Sequence, residues 1–271
     1  MKKILVILNG TLIAHHLVNA AIVFANATAS YLHIILTDYS LDLAAYNYPF
    51  PNDLALTRNR LSGKTIAEED AALLADNIRL LVDTCETAKI KFSIDPDKEI
   101  YLGKLLNYSA FSDFILADAT ENLQQGHIAD LLLHAHCPVY LVSKKTTTAA
   151  NIIFTYDGSA SSMFAIKSFT CLFPEYKSQP AWFVHVAAAN LNVLPHQEEI
   201  NGWLKAHYNN VQVKIIHGNL RESLVDFTQT ISNPLVIMGS FGRSAFSNFF
   251  HKSVAHAVIE EGNASLFIAH A

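Results

Sequence analysis

The chain has 271 residues, of which 51% are hydrophobic and 16% charged, and its formal net charge is −5. That composition gives ample core and excludes an intrinsically disordered chain. The negative balance, with no basic stripe, excludes an electrostatic nucleic-acid footprint, and the length suits two average domains.

Cys85, Cys137 and Cys171 are widely spaced and form no C-x-x-C pair. A disulfide framework or cysteine-rich zinc site is therefore not expected, and a reducing, cytoplasmic setting fits. Lys2-Lys3 and the apolar run Ile4–Leu8 look briefly like a signal peptide, but Asn9-Gly10 ends the run and His15-His16 breaks the next apolar stretch. A signal core needs a longer unbroken stretch, and no segment is apolar enough over a membrane-spanning length.

In chain order, Lys3 to Leu8 reads as a buried strand ending in the turn Asn9-Gly10-Thr11, with a helical pattern after it. Tyr31 to Asp38 is a second strand. Tyr39 to Arg60, with Pro49 and Pro51, is a long irregular stretch of the kind that serves as a functional or mobile loop. From Lys64 to Lys89 apolar residues recur at helical steps: Ile66, Leu74, Ile78, Leu81 and Cys85. Lys91 to Ile94 is a third strand and Phe114 to Ala117 a fourth. His127 to Ser143 holds a helix and a fifth strand. Lys144 to Ala150 is a short polar linker.

The same series then recurs. Asn151 to Ser159 resembles Lys3 to Thr11, Ala181 to Ala188 resembles Tyr31 to Asp38, and Lys214 to His217 resembles Lys91 to Ile94. Val236 to Gly239 is set against Phe114 to Ala117, and Ser253 to Ala269 aligns without a gap on His127 to Ser143. Strands alternating with helices specify parallel sheets with helices on both faces, and the near-continuous apolar strands agree. The expected fold is α/β: two tandem open parallel five-stranded sheets, Rossmann-like, in domains 1–145 and 150–271.

Ligands of such sheets bind at the carboxyl ends of strands where strand order reverses. In the second half those ends carry Tyr156-Asp157-Gly158-Ser159 and Met238-Gly239-Ser240-Phe241-Gly242-Arg243. Gly239 and Gly242 would let backbone N–H groups approach an anion; the bland alternative is a tight turn. The helix starting near Ser253-Val254 adds its N-terminal dipole and a hydroxyl. Asp157 could accept from a ribose hydroxyl or hold a Mg²⁺.

These residues resemble the universal stress protein family. Its ATP-binding members carry an Asp after the first strand, then Gly-x-x-Gly, nine residues and Gly-Ser or Gly-Thr after the fourth. Here Gly239-Ser240-Phe241-Gly242 matches, Arg243 to His251 are the nine, and Ser253-Val254 matches the close. Cys137-Pro138-Val139 opening the last strand of the first half is similar to the family too. The resemblance implies an adenine-nucleotide alpha-hydrolase-like fold, ATP or AMP in the second half with or without Mg²⁺, and adenine against the backbone near Val186 and Ala187. It also implies pairing of the fifth strands, giving an internal pseudo-dimer, with a homodimer of chains as a further expectation.

One position departs. Lys252 replaces the third motif glycine. It either adds a charge toward phosphates or crowds the cradle with its stem. The first half departs further: Asn9 stands for Asp157, and Ala117-Asp118-Ala119 replaces the glycine turn. That half is expected to be degenerate for ATP, any pocket being bounded by Asn9, Gly10, Asp118 and the 39–60 loop.

Other signals have simpler explanations. Gly63-Lys64-Thr65 lacks the first glycine and the preceding strand of a P-loop. His134 and His136 beside Cys137 do not share a helix face. Ser159, Ser161 and Ser162 read as helix-capping residues. Phe241, Phe246, Phe249 and Phe250 read as core, with a partner patch as the alternative. The sequence thus points to a universal stress-type regulatory protein binding ATP or AMP in its second half, and no catalytic residue is assigned. Two alternatives stand: a nucleotide-free scaffold acting through association, and a small-molecule enzyme with the 39–60 loop as lid.

Overall fold

A computed structural model describes residues 1–37, 63–95, 102–119, 127–145, 150–187, 192–239 and 254–269. The loop at 39–60, most of the linker, and residues 240–253 with Gly242, Arg243, Lys252, Ser253 and the four phenylalanines of that stretch lie outside the described residues.

The first half runs β1 (Lys3–Asn9), α1 (His15–Thr28), β2 (Tyr31–Thr37), α2 (Gly63–Thr87), β3 (Lys91–Asp95), α3 (Leu102–Ser109), β4 (Phe114–Asp118), α4 (His127–His134) and β5 (Val139–Val142). The second runs β6 (Asn151–Thr155), α5 (Ala160–Leu172), a 3₁₀ turn (Pro174–Ser178), β7 (Ala181–Ala187), α6 (Gln197–His207), β8 (Val211–His217), α7 (Leu220–Gln229), β9 (Pro234–Gly239), α8 (Val254–Glu260) and β10 (Ser265–Ala269).

The two expected five-stranded parallel units join edge to edge into one ten-stranded sheet in the order β3-β2-β1-β4-β5-β10-β9-β6-β7-β8. Pairing within each half is parallel. The halves meet where β5 and β10, both expected at an apolar edge, pair antiparallel, with Leu141 opposite Leu266 and Tyr140 opposite Phe267. An uncovered apolar edge recruits another strand, and each of these finds its partner within the chain.

Alternation along each strand sorts the core into two layers. Ile4, Val6 and Leu8 pack with Leu17 and Phe24 of α1 and Leu81 and Cys85 of α2; the same layer continues into Phe169 of α5 and Leu204 of α6. Leu5 and Ile7 face the opposite layer, with Leu105 of α3, Leu131 of α4, Leu224 of α7 and Val258 of α8. A buried aromatic group seals the junction. The Phe173 ring lies 5.5 Å from Phe24, 5.1 Å from Phe114 and 5.9 Å from Phe267, so both halves contribute to one cluster.

The register also places the two halves on each other residue by residue. Ile4 pairs with Leu32 and Phe114, and its counterpart Ile152 pairs with Ala181 and Leu235. Leu32 rather than Tyr31 therefore occupies the place of Ala181. By the same count Asp118, not Ala117, occupies the place of Gly239. The third strand of the second half begins at Val211 rather than Lys214.

Candidate functional site

β6 ends at Thr155, whose Oγ1 donates to the carbonyl of Ile237 on β9 at 3.0 Å. That bond ties the two strands between which the order reverses, the crevice where open α/β sheets take ligands. The Tyr156 ring turns into the core, 5.1 Å from Phe183, so this residue offers the crevice its backbone. Its carbonyl accepts from Nδ1 of His185 at 2.8 Å. A carbonyl can only accept, so Nδ1 carries the proton.

Asp157 comes next, exposed, its Oδ1 accepting from the backbone N–H of Ser159 at 2.9 Å. Burial pushes its carboxyl upward, but the Ser159 hydrogen bonds outweigh it and hold the group below the usual carboxylate value. It is ionised at neutral pH. Gly158 turns the chain with φ +90°, a conformation costly for residues with a Cβ. Ser159 then caps α5, its hydroxyl accepting from the N–H of Ser162 at 3.1 Å.

Around this turn lies a pocket open to solvent, with a volume of about 210 Å³. Of the residues expected at a site, Tyr156, Asp157, Val186, Ala187, Met238, Gly239 and Val254 line it. Gly158 stays in the turn and does not. Val184, Leu220, Leu224 and Met238 make its floor apolar, while Asp157, Ser159 and Ser162 provide polar groups at one side.

Leu220 and Leu224 escape sequence reasoning centred on the ends of strands one and four, because they sit on the helix after strand three. Their four-residue spacing on α7 is the signal that marks them. Gly239 has a packing role of its own: a Cβ there would stand 2.7 Å from the carbonyl carbon of Ser161 and 2.8 Å from Cα of Ser162.

The first half is built differently at the matching place. Asn9 Oδ1 accepts from the N–H and hydroxyl of Thr11, both at 3.0 Å, and from the N–H of Leu12 at 2.9 Å. Asn77 of α2 donates to the carbonyl of Gly10 at 2.9 Å. Asp118, 4% exposed, stands where the second half has Gly239, and its Oδ1 lies 3.2 Å from Nε2 of His16 in the first turn of α1. A carboxylate at this position opposes an anionic ligand.

The model of the Universal stress protein family matches residues 179–270. Three solved structures share the fold over 99% of this chain. A universal stress protein from Archaeoglobus fulgidus is 14% identical with a TM-score of 0.63, over 96% of its own length. A functionally unknown protein from Pseudomonas aeruginosa is 12% identical, TM-score 0.58, over 92% of its length. A putative universal stress protein from Pseudomonas aeruginosa is 13% identical, TM-score 0.56, over 92% of its length. No curated protein sequence matches the chain. Among the described residues no helix is long and apolar enough to cross a membrane.

Proposed function

We propose that this chain, whose residues 179–270 match the universal stress protein family, is a stress-related regulatory protein that binds ATP or AMP in the pocket beside Asp157. One observation carries the proposal. The crevice at the β6–β9 switch point combines an apolar lining with an ionised carboxylate and serine groups on one side. Adenine lies on Val184, Leu220 and Leu224 against the backbone of Val186 and Ala187. Asp157 takes a ribose hydroxyl or a Mg²⁺. The phosphates extend toward Gly239 and the start of α8.

A second reading, a nucleotide-free scaffold, is favoured by the contact of Gly239 with Ser161, which explains that glycine without a ligand.

Calorimetric titration with Mg-ATP and with AMP separates the two. Saturable binding is expected, and Asp157→Ala weakens it by roughly ten- to a hundredfold, as loss of a hydrogen bond to a charged group does. Lys252→Gly reports whether that side chain adds charge or crowds the phosphates. Absence of heat in all three proteins overturns the nucleotide proposal and leaves the scaffold.

A further inference from the structure

The ladder between β6 and β7 stops at Thr155 opposite Val184. Beyond it the N–H of Tyr156 still donates to the carbonyl of Val184 at 2.9 Å. In a parallel ladder the next rung would run from the N–H of Val186 to the carbonyl of Tyr156. That rung is not made. The Tyr156 carbonyl accepts from Nδ1 of His185 at 2.8 Å instead, and among the described residues the Val186 N–H has no hydrogen-bond partner.

Backbone groups of residues two apart in a strand face the same edge, so Val186 turns its N–H and carbonyl toward β6, as Val184 does. The rung after that, from the N–H of Gly158 to the carbonyl of Val186, is also absent among the described residues, because the chain turns at Gly158 with φ +90°. Tyr156, Val184, His185 and Val186 all line the pocket. The two unmade rungs therefore lie at its wall, and half-buried Val186 offers there one donor and one acceptor. Backbone groups taken from water in this way call for a partner.

We infer that His185 is a positioning residue for the ligand's base: by holding the Tyr156 carbonyl it keeps the Val186 N–H open to a ring-nitrogen acceptor. The inference rests on the nucleotide reading of this pocket and adds its selectivity. An N–H and a carbonyl on one edge match a ring nitrogen beside an exocyclic amino group, which is the edge of adenine. A 6-oxo purine presents its donor and acceptor in the opposite order. Without the imidazole, the Tyr156 carbonyl is free to close the rung on Val186, and the donor is lost to the sheet.

The test compares wild type with His185→Leu, which cannot donate, and His185→Asn, whose amide brings an N–H near the place of Nδ1. Backbone hydrogen exchange is read first, without ligand. In wild type the Val186 amide is expected to exchange faster than that of Val184, which lies inside the ladder. His185→Leu is expected to slow exchange at Val186, and His185→Asn to leave it fast. Loss of a merely structural histidine would loosen the strand end and speed exchange. Calorimetry with AMP and IMP follows. Wild type and His185→Asn are expected to prefer AMP by roughly ten- to a hundredfold, the usual penalty for a polar group left unpaired, and His185→Leu to lose that preference. Equal protection of Val186 and Val184 in wild type overturns the inference, and needs no variant to fold. So does unchanged or faster Val186 exchange in His185→Leu, or binding of AMP by wild type with no preference over IMP. Binding of neither nucleotide overturns the nucleotide reading, while the exchange rates still decide what His185 does to Val186.

Discussion

Gly239 and Ser161 approach so closely that a methyl group on the glycine would stand 2.7 Å from both the carbonyl carbon and oxygen of the serine. Both groups are backbone, so neither can rotate aside. Gly239→Ala is expected to destabilise the protein by about 1–3 kcal/mol, the usual cost of overpacking, measured by urea unfolding. Because Ser159 and Ser162 line the pocket from the same turn, the proposed nucleotide binding is expected to weaken with it.

The junction between the halves makes a second prediction. Phe173 is 1% exposed, touches rings from both halves, and carries the Lys2 ammonium 5.1 Å from its centroid. Phe173→Ala removes the shared member of that cluster and is expected to cost about 3–5 kcal/mol. Both tryptophans, Trp182 and Trp203, lie in the second half, so their fluorescence tracks that half, while hydrogen exchange of β1 and β4 tracks the other. The two are expected to shift together; a shift in one alone shows that the halves unfold separately.

His33 on β2 supplies a pH dependence. Burial lowers its pKa below 6.5, the nearby Lys3 and Lys104 lower it further, and Asp95 opposes them. Its ring meets Tyr108 edge-on at 4.7 Å, and the Tyr108 hydroxyl donates to Asp95 at 2.7 Å. The folded state therefore favours neutral imidazole. As pH falls through 6.5 the unfolded chain takes the proton first, so this contribution is present above 6.5 and lost as pH drops toward the folded pKa. The melting temperature of wild type is expected to fall over that window more steeply than that of His33→Gln, measured by circular dichroism from about pH 8 to 5.

The parts of this architecture that are legible in the sequence are those that leave a periodic trace. The α2 helix, expected over Lys64 to Lys89, spans Gly63–Thr87, because Leu74, Ile78, Leu81 and Cys85 repeat at helical steps. The first strands of the two halves align correctly because Asn9-Gly10 and Asp157-Gly158 anchor them, whereas the fifth strands slip by one, Val139 taking the place of Leu266 and not of Ser265. The fourth strands slip by one as well. A strand buried on both faces has no polar alternation, so Phe114–Ala117 slides against Val236–Gly239 without penalty in composition. Only pairing with β1 and β6 fixes the register, and that slip hides the correspondence of Asp118 with Gly239. The partnership of His16 with Asp118 is equally hidden, since it joins residues about a hundred positions apart and only the sheet brings them together.

The pairing of β5 with β10 also sets an order of events at the ribosome. Val139 waits for Ile268, its partner in the register, and about 130 residues must be added in between. At about 5–20 residues per second that is on the order of ten seconds. Throughout it the finished first half carries the bare apolar strand Val139–Val142 and an incomplete aromatic cluster. The chain closes this apolar edge only once β10 has been made, so nascent chains stalled before Ser265 are the species expected to need a chaperone.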